Sequence, residues 1–158
     1  MKALALFAAP LVVLALAGCG DKDKTVTTAT MEKDGVKATV EIRDAWCRPS
    51  PNGAQVGACY ATIKASTANR LTGVATPQAG MVEIHDMVMD GAMMKMSPMP
   101  NGLPLVADEE VKLAPGGKHL MLMQLTGPLT DGSAVALTFT FSDTPAMTVQ
   151  APVRQPEA

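Results

Sequence analysis

The chain has 158 residues, with 13 Lys and Arg against 15 Asp and Glu, so it is close to neutral, and it has no long basic block. This balance argues against a nucleic-acid-binding protein, and an aromatic content of 3% argues against a stacking platform for bases or sugars. The length allows one ordinary domain after removal of a targeting segment. Frequent Gly and Pro between short apolar runs favour short strands over long helices.

The first 18 residues have the features of a lipoprotein signal peptide. A positive start precedes an apolar run that is shorter than the roughly 20 residues a membrane-spanning helix needs. The small residues Ala17 and Gly18 directly precede Cys19, which resembles a bacterial lipobox with Cys19 as the acylated residue. An ordinary secretory signal is the alternative. Gly20, where an Asp would indicate inner-membrane retention, favours the outer membrane.

The segment after the anchor is polar, charged and rich in Thr. We therefore predict that residues 19–35 form a lipid-anchored flexible tether. The folded domain is expected over residues 36–154, and residues 155–158 are expected to form a frayed tail.

Two strands open the predicted domain, at Val36–Asp44 and Val56–Ala65. Cys47 and Cys59 flank the short loop between them, so they could lie on neighbouring strands at bridging distance. In an exported protein a disulfide is the simplest interpretation of such a pair. A thiolate metal site or a redox pair fits the sequence less well than a disulfide, because there is no C-x-x-C motif and no His near these cysteines. Two buried free thiols are a further alternative.

A β-hairpin is predicted next, and it carries the first histidine. Odd-numbered positions of residues 81–89 share one face, and Asp90-Gly91 is a strong two-residue turn signal. That turn would place His85 directly opposite Met96, with Cβ atoms about 5 Å apart.

The second histidine lies on a later strand, Lys118–Leu125, which follows a tight turn. Alternation places His119, Met121 and Met123 on one face, with His119 and Met121 about 6.5–7 Å apart along the chain. A short segment at 71–76, strands at 110–113, 134–141 and 147–153, and an irregular segment at 103–108 complete the prediction. Seven or eight short strands predict an all-β Greek-key sandwich or barrel.

Soft donors are concentrated in one part of the chain. Both histidines and nine of the twelve methionines lie between Met81 and Met123. Neutral imidazoles and thioethers suit Cu(I), whereas Mg, Ca and structural Zn would need carboxylates or thiolates. The candidate ligands are His85, Met96, His119 and Met121, with Met87 and Met123 as auxiliary candidates. Taken singly, the remaining methionines of this part and of the last strand are expected to pack: Met81, Met89, Met93, Met94, Met99 and Met147.

This pattern resembles the periplasmic copper chaperones of the PCu(A)C family. The family motif is a His, ten residues, a Met, about twenty-one residues, and His-x-Met. Here His85 and Met96 match, and His119-Leu120-Met121 follows after twenty-two residues. Flanking segments of the resemblance include Asp44-Ala45-Trp46 with Arg48, Gly57-Ala58 with Tyr60, Val82-Glu83-Ile84, and Leu113 with Pro115-Gly116-Gly117.

The resemblance covers roughly residues 38–153. It implies a cupredoxin-like β-sandwich that holds one Cu(I) ion and delivers it to the Cu(A) centre of cytochrome c oxidase. The implied partners are the Cu(A)-carrying subunit or another periplasmic copper chaperone, with the membrane contacted through Cys19. The cysteine pair is not part of the family motif.

Three other functions are weighed against delivery. A copper-buffering or resistance lipoprotein would use the same site without a delivery partner. An electron-transfer cupredoxin would need a Cys among its ligands together with His. A domain whose methionines only pack would bind no copper. No catalytic triad, paired acid near the histidines or phosphate loop points to an enzyme.

Overall fold

A computed structural model describes residues 26–33 and 36–156 of the chain. The predicted signal peptide at residues 1–18 and the predicted lipid anchor at Cys19 lie outside the described residues. Among the described residues, no helix is long and apolar enough to cross a membrane.

The described residues form eleven β-strands and no helix, in keeping with short apolar runs broken by Gly, Pro and Asp. The first six strands are β1 (Thr27–Lys33), β2 (Val36–Cys47), β3 (Val56–Ala65), β4 (Asn69–Ala75), β5 (Ala79–Asp90) and β6 (Met93–Pro98). The others are β7 (Leu103–Leu105), β8 (Glu110–Leu113), β9 (His119–Leu125), β10 (Ala134–Phe141) and β11 (Met147–Pro152).

The strands form two sheets, and every named strand pair is antiparallel. The larger sheet has the order β1-β2-β3-β9-β5-β6, and β8 pairs with β3 beyond the segment of β3 that pairs with β9. The smaller sheet has the order β11-β10-β4-β7. The predicted all-β architecture is therefore confirmed. The strands that carry the candidate ligands, β9, β5 and β6, lie side by side at one edge of the larger sheet.

A single apolar core holds the two sheets together. Each sheet contributes one face of alternating Val, Ile, Leu and Phe side chains that are withdrawn from water. Fully buried large side chains include Ile42, Ile63, Leu120 and Leu122 from the larger sheet, and Leu71, Leu137, Phe139 and Val149 from the smaller one. Because Leu120 and Leu122 face the core, the intervening residues of β9 face away from it.

Strand β1 lies within the segment that we predicted as a tether. Thr27 pairs with Ile42 and Lys33 pairs with Val36, so the chain folds back along β2. The sequence TTATMEK has little apolar content, and composition does not reveal that its backbone pairs with β2 as the edge strand of the larger sheet. The described part of the domain thus begins before residue 36.

A β-bulge in β2 sets the position of the two cysteines. The register between β2 and β3 shifts between Arg43 and Trp46, and Asp44 has a positive φ of 51°. After this extra residue, Trp46 lies opposite Tyr60 and Cys47 lies opposite Cys59. Cys47 and Cys59 form a disulfide in the structure, with Cα atoms 4.0 Å apart.

Candidate metal centre

The β5–β6 hairpin brings a different pair of side chains together from the pair that we predicted. Met87, and not His85, lies opposite Met96, while His85 lies opposite Pro98. The turn residues are Gly91 and Ala92, with a positive φ of 64° at Gly91, as a hairpin turn with Gly in its first central position requires. The register therefore differs from the prediction by two residues. A shift of two keeps every side chain on its predicted face, so Met96 still shares a face with His85.

His85 and His119 are directly opposed across β5 and β9. Their ring centroids are 5.7 Å apart and the rings meet edge to face at 68°. Both residues are buried, with 9% and 6% exposure. Two imidazoles at this separation can bind one ion after small side-chain rotations.

One nitrogen of the His85 ring is held by the protein and the other has no partner. Nε2 of His85 lies 2.7 Å from a carboxylate oxygen of Glu83, two residues earlier on the same face of β5. The carboxylate can only accept, so Nε2 carries the proton and donates it. Nδ1 is buried and has no hydrogen-bond partner among the described residues. A buried lone pair without a partner is unfavourable unless a ligand completes it, and this is the arrangement that a metal ion would satisfy.

His119 is held in the complementary way. Its Nδ1 donates to the backbone carbonyl of Gly117 over 2.9 Å, so Nε2 is left as the nitrogen with a free lone pair. Gly117 belongs to the Pro115-Gly116-Gly117 turn, which therefore fixes the orientation of the ring as well as reversing the chain. Both histidines thus have the outer hydrogen bond that metal-binding imidazoles typically make.

Three methionines join His119 around one open cavity of about 480 Å³. Met87 and Met96 come from the hairpin, and Met121 comes from β9. Met96 is 44% exposed, so the cavity opens to solvent next to Met96. The rest of the cavity wall consists of Arg48, Pro49, Ser50, Pro51, Val56, Gly57, Ala58, Tyr60 and Gly116.

Two candidate ligands do not line this cavity. His85 lies beside it, opposite His119, with its ring buried. Met123 pairs with Val56 and Met81 further along the sheet. The structure therefore brings together Met87, Met96, His119 and Met121, places His85 next to His119, and leaves Met123 apart.

The loop after β2 forms one side of the cavity, and sequence reasoning did not assign it a role in the site. Its position is fixed by two hydrogen bonds, from the Ser50 amide to the Leu129 carbonyl and from the Leu129 amide to the Ser50 hydroxyl. Prolines at 49 and 51 restrict its backbone further. The Pro-Ser-Pro sequence indicated a loop, but only the fold shows that it faces the methionines.

Asp86 interrupts an otherwise apolar face of β5, and the structure shows its partner. Its carboxylate lies 2.9 Å from Nζ of Lys118, the residue before His119. The same carboxylate accepts the backbone N–H of Met87. This ion pair joins β5 to the residue that precedes β9, immediately beside the two histidines.

Among the described residues, no group of three or more His, Cys, Asp or Glu side chains could hold a metal ion. The available donors at the cavity are imidazole nitrogen and thioether sulfur, which match a soft monovalent ion.

The remaining methionines divide into two groups. Met147 is buried and Met99 packs against the core, as expected. The expectation that the others pack is wrong, because they project from β5 and β6 at an edge of the larger sheet. Those exposed side chains are Met81, Met89, Met93 and Met94, with exposed fractions of 45%, 64%, 74% and 54%.

Solved structures share this fold. The apo PCuAC domain of PmoF1 has a TM-score of 0.61 and 22% identity, over 74% of this chain and 94% of that domain. The copper-bound PCuAC domain of PmoF2 has a TM-score of 0.61 and 24% identity, over 74% and 93%. CuI-DR1885 from Deinococcus radiodurans has a TM-score of 0.58 and 30% identity, over 70% of this chain and 74% of that one. The fold class is that of the cupredoxin-like PCu(A)C domains, as the motif predicted.

The family follows from the sequence comparison. The family model described as "Putative lipoprotein LpqE-like" matches residues 40–153, and the chain belongs to this LpqE-like family. A relative from Leifsonia xyli subsp. xyli (strain CTCB07), named "Putative lipoprotein Lxx21020", is 27% identical over 146 residues. The matched part is 90% of this chain and 84% of that protein.

Proposed function

We propose that this protein is an exported carrier of Cu(I). It binds one ion through His85, Met96, His119 and Met121 and delivers it to the Cu(A) centre of cytochrome c oxidase, directly or through another periplasmic copper chaperone. Met87 is an auxiliary ligand or a soft wall of the site, because it lines the same cavity.

The opposed histidines are the observation that carries this proposal. Their rings are 5.7 Å apart, and each has one nitrogen engaged by a protein oxygen and the other available. The unpartnered Nδ1 of His85 is costly in a protein that never binds a ligand there. Adjacent thioethers then complete a neutral, soft donor set.

Release to an acceptor is supported by where the sulfur ligands lie. Met96 is partly exposed at the cavity mouth, whereas the two imidazoles are buried. An incoming thiolate or imidazole can therefore replace the thioethers first and the histidines last. No proton or electron has to leave with the ion when a neutral thioether is exchanged.

The comparisons support copper as the cargo. Two structural neighbours are a copper-bound PCuAC domain and the Cu(I) form of DR1885, and the second of these is 30% identical to this chain. The lipoprotein family supports export and anchoring at Cys19, on the periplasmic face of a membrane, with the outer membrane favoured by Gly20. The buried cystine Cys47–Cys59 suits an oxidising compartment.

Electron transfer at a blue-copper site is a weaker proposal. Such a site needs a Cys thiolate beside the histidines. Both cysteines within the described residues are joined in the disulfide and are fully buried.

Deletion and complementation test delivery against buffering. We expect a deletion strain grown at low copper to lose oxidase assembly, and the parent gene or a Met81→Leu control to restore it. His119→Ala should not restore it, although the variant protein should be exported in equal amount. Intact oxidase with copper sensitivity alone would show buffering and would overturn the delivery proposal.

A further inference from the structure

A second pair of thioethers lies directly beyond the cavity on the same hairpin. Met89 on β5 is opposite Met94 on β6, two ladder positions closer to the turn than Met87 and Met96. Directly opposed side chains on an antiparallel ladder have Cβ atoms about 4.5–5.5 Å apart. Two flexible methionine side chains at that distance can bring both sulfurs to one ion.

The two methionine pairs point to the same side of the hairpin. Positions 87 and 89 are two residues apart on β5, and positions 94 and 96 are two apart on β6, so all four side chains share a face. The spacing between the pairs along the strands is about 6.5–7 Å. The inner pair lines the copper cavity. The outer pair therefore stands between the cavity and the exposed tip of the hairpin.

Exposure distinguishes this outer pair from ordinary packing. Met89 and Met94 are 64% and 54% exposed, so their thioethers are available to a metal ion in solution. Packing does not account for their identity, since neither side chain belongs to the core or to its partly buried margin. These two thioethers are neutral soft donors, which bind soft ions such as Cu(I) and not hard cations.

We infer that Met89 and Met94 form a second, weaker Cu(I) site, through which the ion enters or leaves the cavity. This inference rests on the proposed copper-carrier function and adds a place for the cargo outside the four-ligand site. An ion on the outer pair moves inward when Met87 or Met96 replaces Met89 or Met94. Copper stays monovalent throughout, and only neutral thioether ligands are exchanged.

Titration with Cu(I) under anaerobic conditions, in competition with a chromophoric chelator, tests the inference. The parent should bind a tight equivalent and a second, weaker one. Met89→Leu/Met94→Leu should lose the weak equivalent and keep the tight one. The matched control, Met81→Leu/Met93→Leu, removes two exposed thioethers outside the pair and should retain both equivalents. Leucine at exposed strand positions preserves the hairpin, which the amide NMR spectrum checks.

Methionine methyl NMR assigns each equivalent to its ligands. The first equivalent should shift the methyl signals of Met96 and Met121, and the second should shift those of Met89 and Met94. His119→Ala should weaken the tight equivalent and leave the second one in place. The inference is overturned if Met89→Leu/Met94→Leu still binds two equivalents, or if the parent binds only the tight one. If the parent protein binds no tight equivalent of Cu(I), the proposed function itself is contradicted.

Discussion

His85 and His119 face each other across neighbouring strands with their ring centroids 5.7 Å apart, and each ring has one nitrogen hydrogen-bonded to a protein oxygen. Glu83 orients the first ring and the carbonyl of Gly117 orients the second. Beside this pair, the hairpin contributes the thioethers of Met87 and Met96 to the cavity, and β9 contributes that of Met121. The chemistry of the site follows from this combination of hydrogen-bonded imidazoles and neighbouring thioethers.

The thioether ligands predict a selective effect of substitution. Met96→Leu or Met121→Leu should lower Cu(I) affinity by at least about tenfold, since each removes a soft donor while preserving side-chain volume. Met93→Leu is the matched control, because Met93 is on the same strand as Met96 but outside the cavity. Chelator competition gives the affinities. Equal affinities for Met96→Leu and Met93→Leu would remove Met96 from the ligand set.

Glu83 is predicted to act through His85 and not as a ligand. Replacing it with Ala removes the acceptor that holds the proton on Nε2, so the ring can change tautomer and present the wrong nitrogen. We expect Cu(I) affinity to fall by about 10–100-fold. Glu83→Gln should recover part of the loss, because the amide oxygen can accept the same hydrogen bond. A purely electrostatic role would show no such recovery.

Acid should weaken copper binding, and the number of histidine ligands should determine how steeply the Cu(I) affinity falls with pH. An imidazole coordinates a metal only in its neutral form, so protons compete with Cu(I) as the pH falls. Cu(I) affinities measured at successively lower pH should therefore fall more steeply for the parent than for His119→Ala, which has one imidazole fewer to lose to protons. Parallel pH profiles would show that His119 does not bind the ion.

The disulfide is predicted to stabilise the sheet beside the site. Cys59 pairs with Cys47 on one side and with Leu120 on the other, so the cystine lies next to the strand position of His119. Closing a loop of this length stabilises a protein by about 2–4 kcal/mol. Cys47→Ala/Cys59→Ala should lose about that much unfolding free energy in denaturant titrations, relative to the oxidised parent. The unfolding free energies of the parent and the double variant should differ less when a reductant is present. An unchanged unfolding free energy without reductant would contradict the predicted stabilisation.

Side-chain faces could be predicted from this sequence, but the register of the β5–β6 hairpin could not. Alternation placed His85 with Met87 and His119 with Met121 because the period of a strand is two. The hairpin register was wrong because the Asp-Gly signal does not determine whether Gly occupies the first or the second central position of the turn. As a result, Met96 lies opposite Met87 in the structure and not opposite His85.

Two features of the fold were not predicted from the sequence. The polar composition of residues 27–33 indicated a tether, although the Asp34-Gly35 dipeptide that follows them is a turn signal, and nothing in Pro-Ser-Pro shows that this loop faces the cavity. The hydrogen bond from His85 to Glu83 joins residues that the alternation already placed on one face. Which nitrogen of His85 carries the proton could be inferred only from the observed contact between Nε2 and Glu83.

X-ray absorption at the copper edge, on protein loaded with one equivalent of Cu(I), tests the four-ligand site most directly. The account predicts two nitrogen and two sulfur neighbours in the parent, and the loss of one nitrogen neighbour in His119→Ala. A copper shell without imidazole nitrogen, or one that is the same in the parent and in His119→Ala, would contradict it.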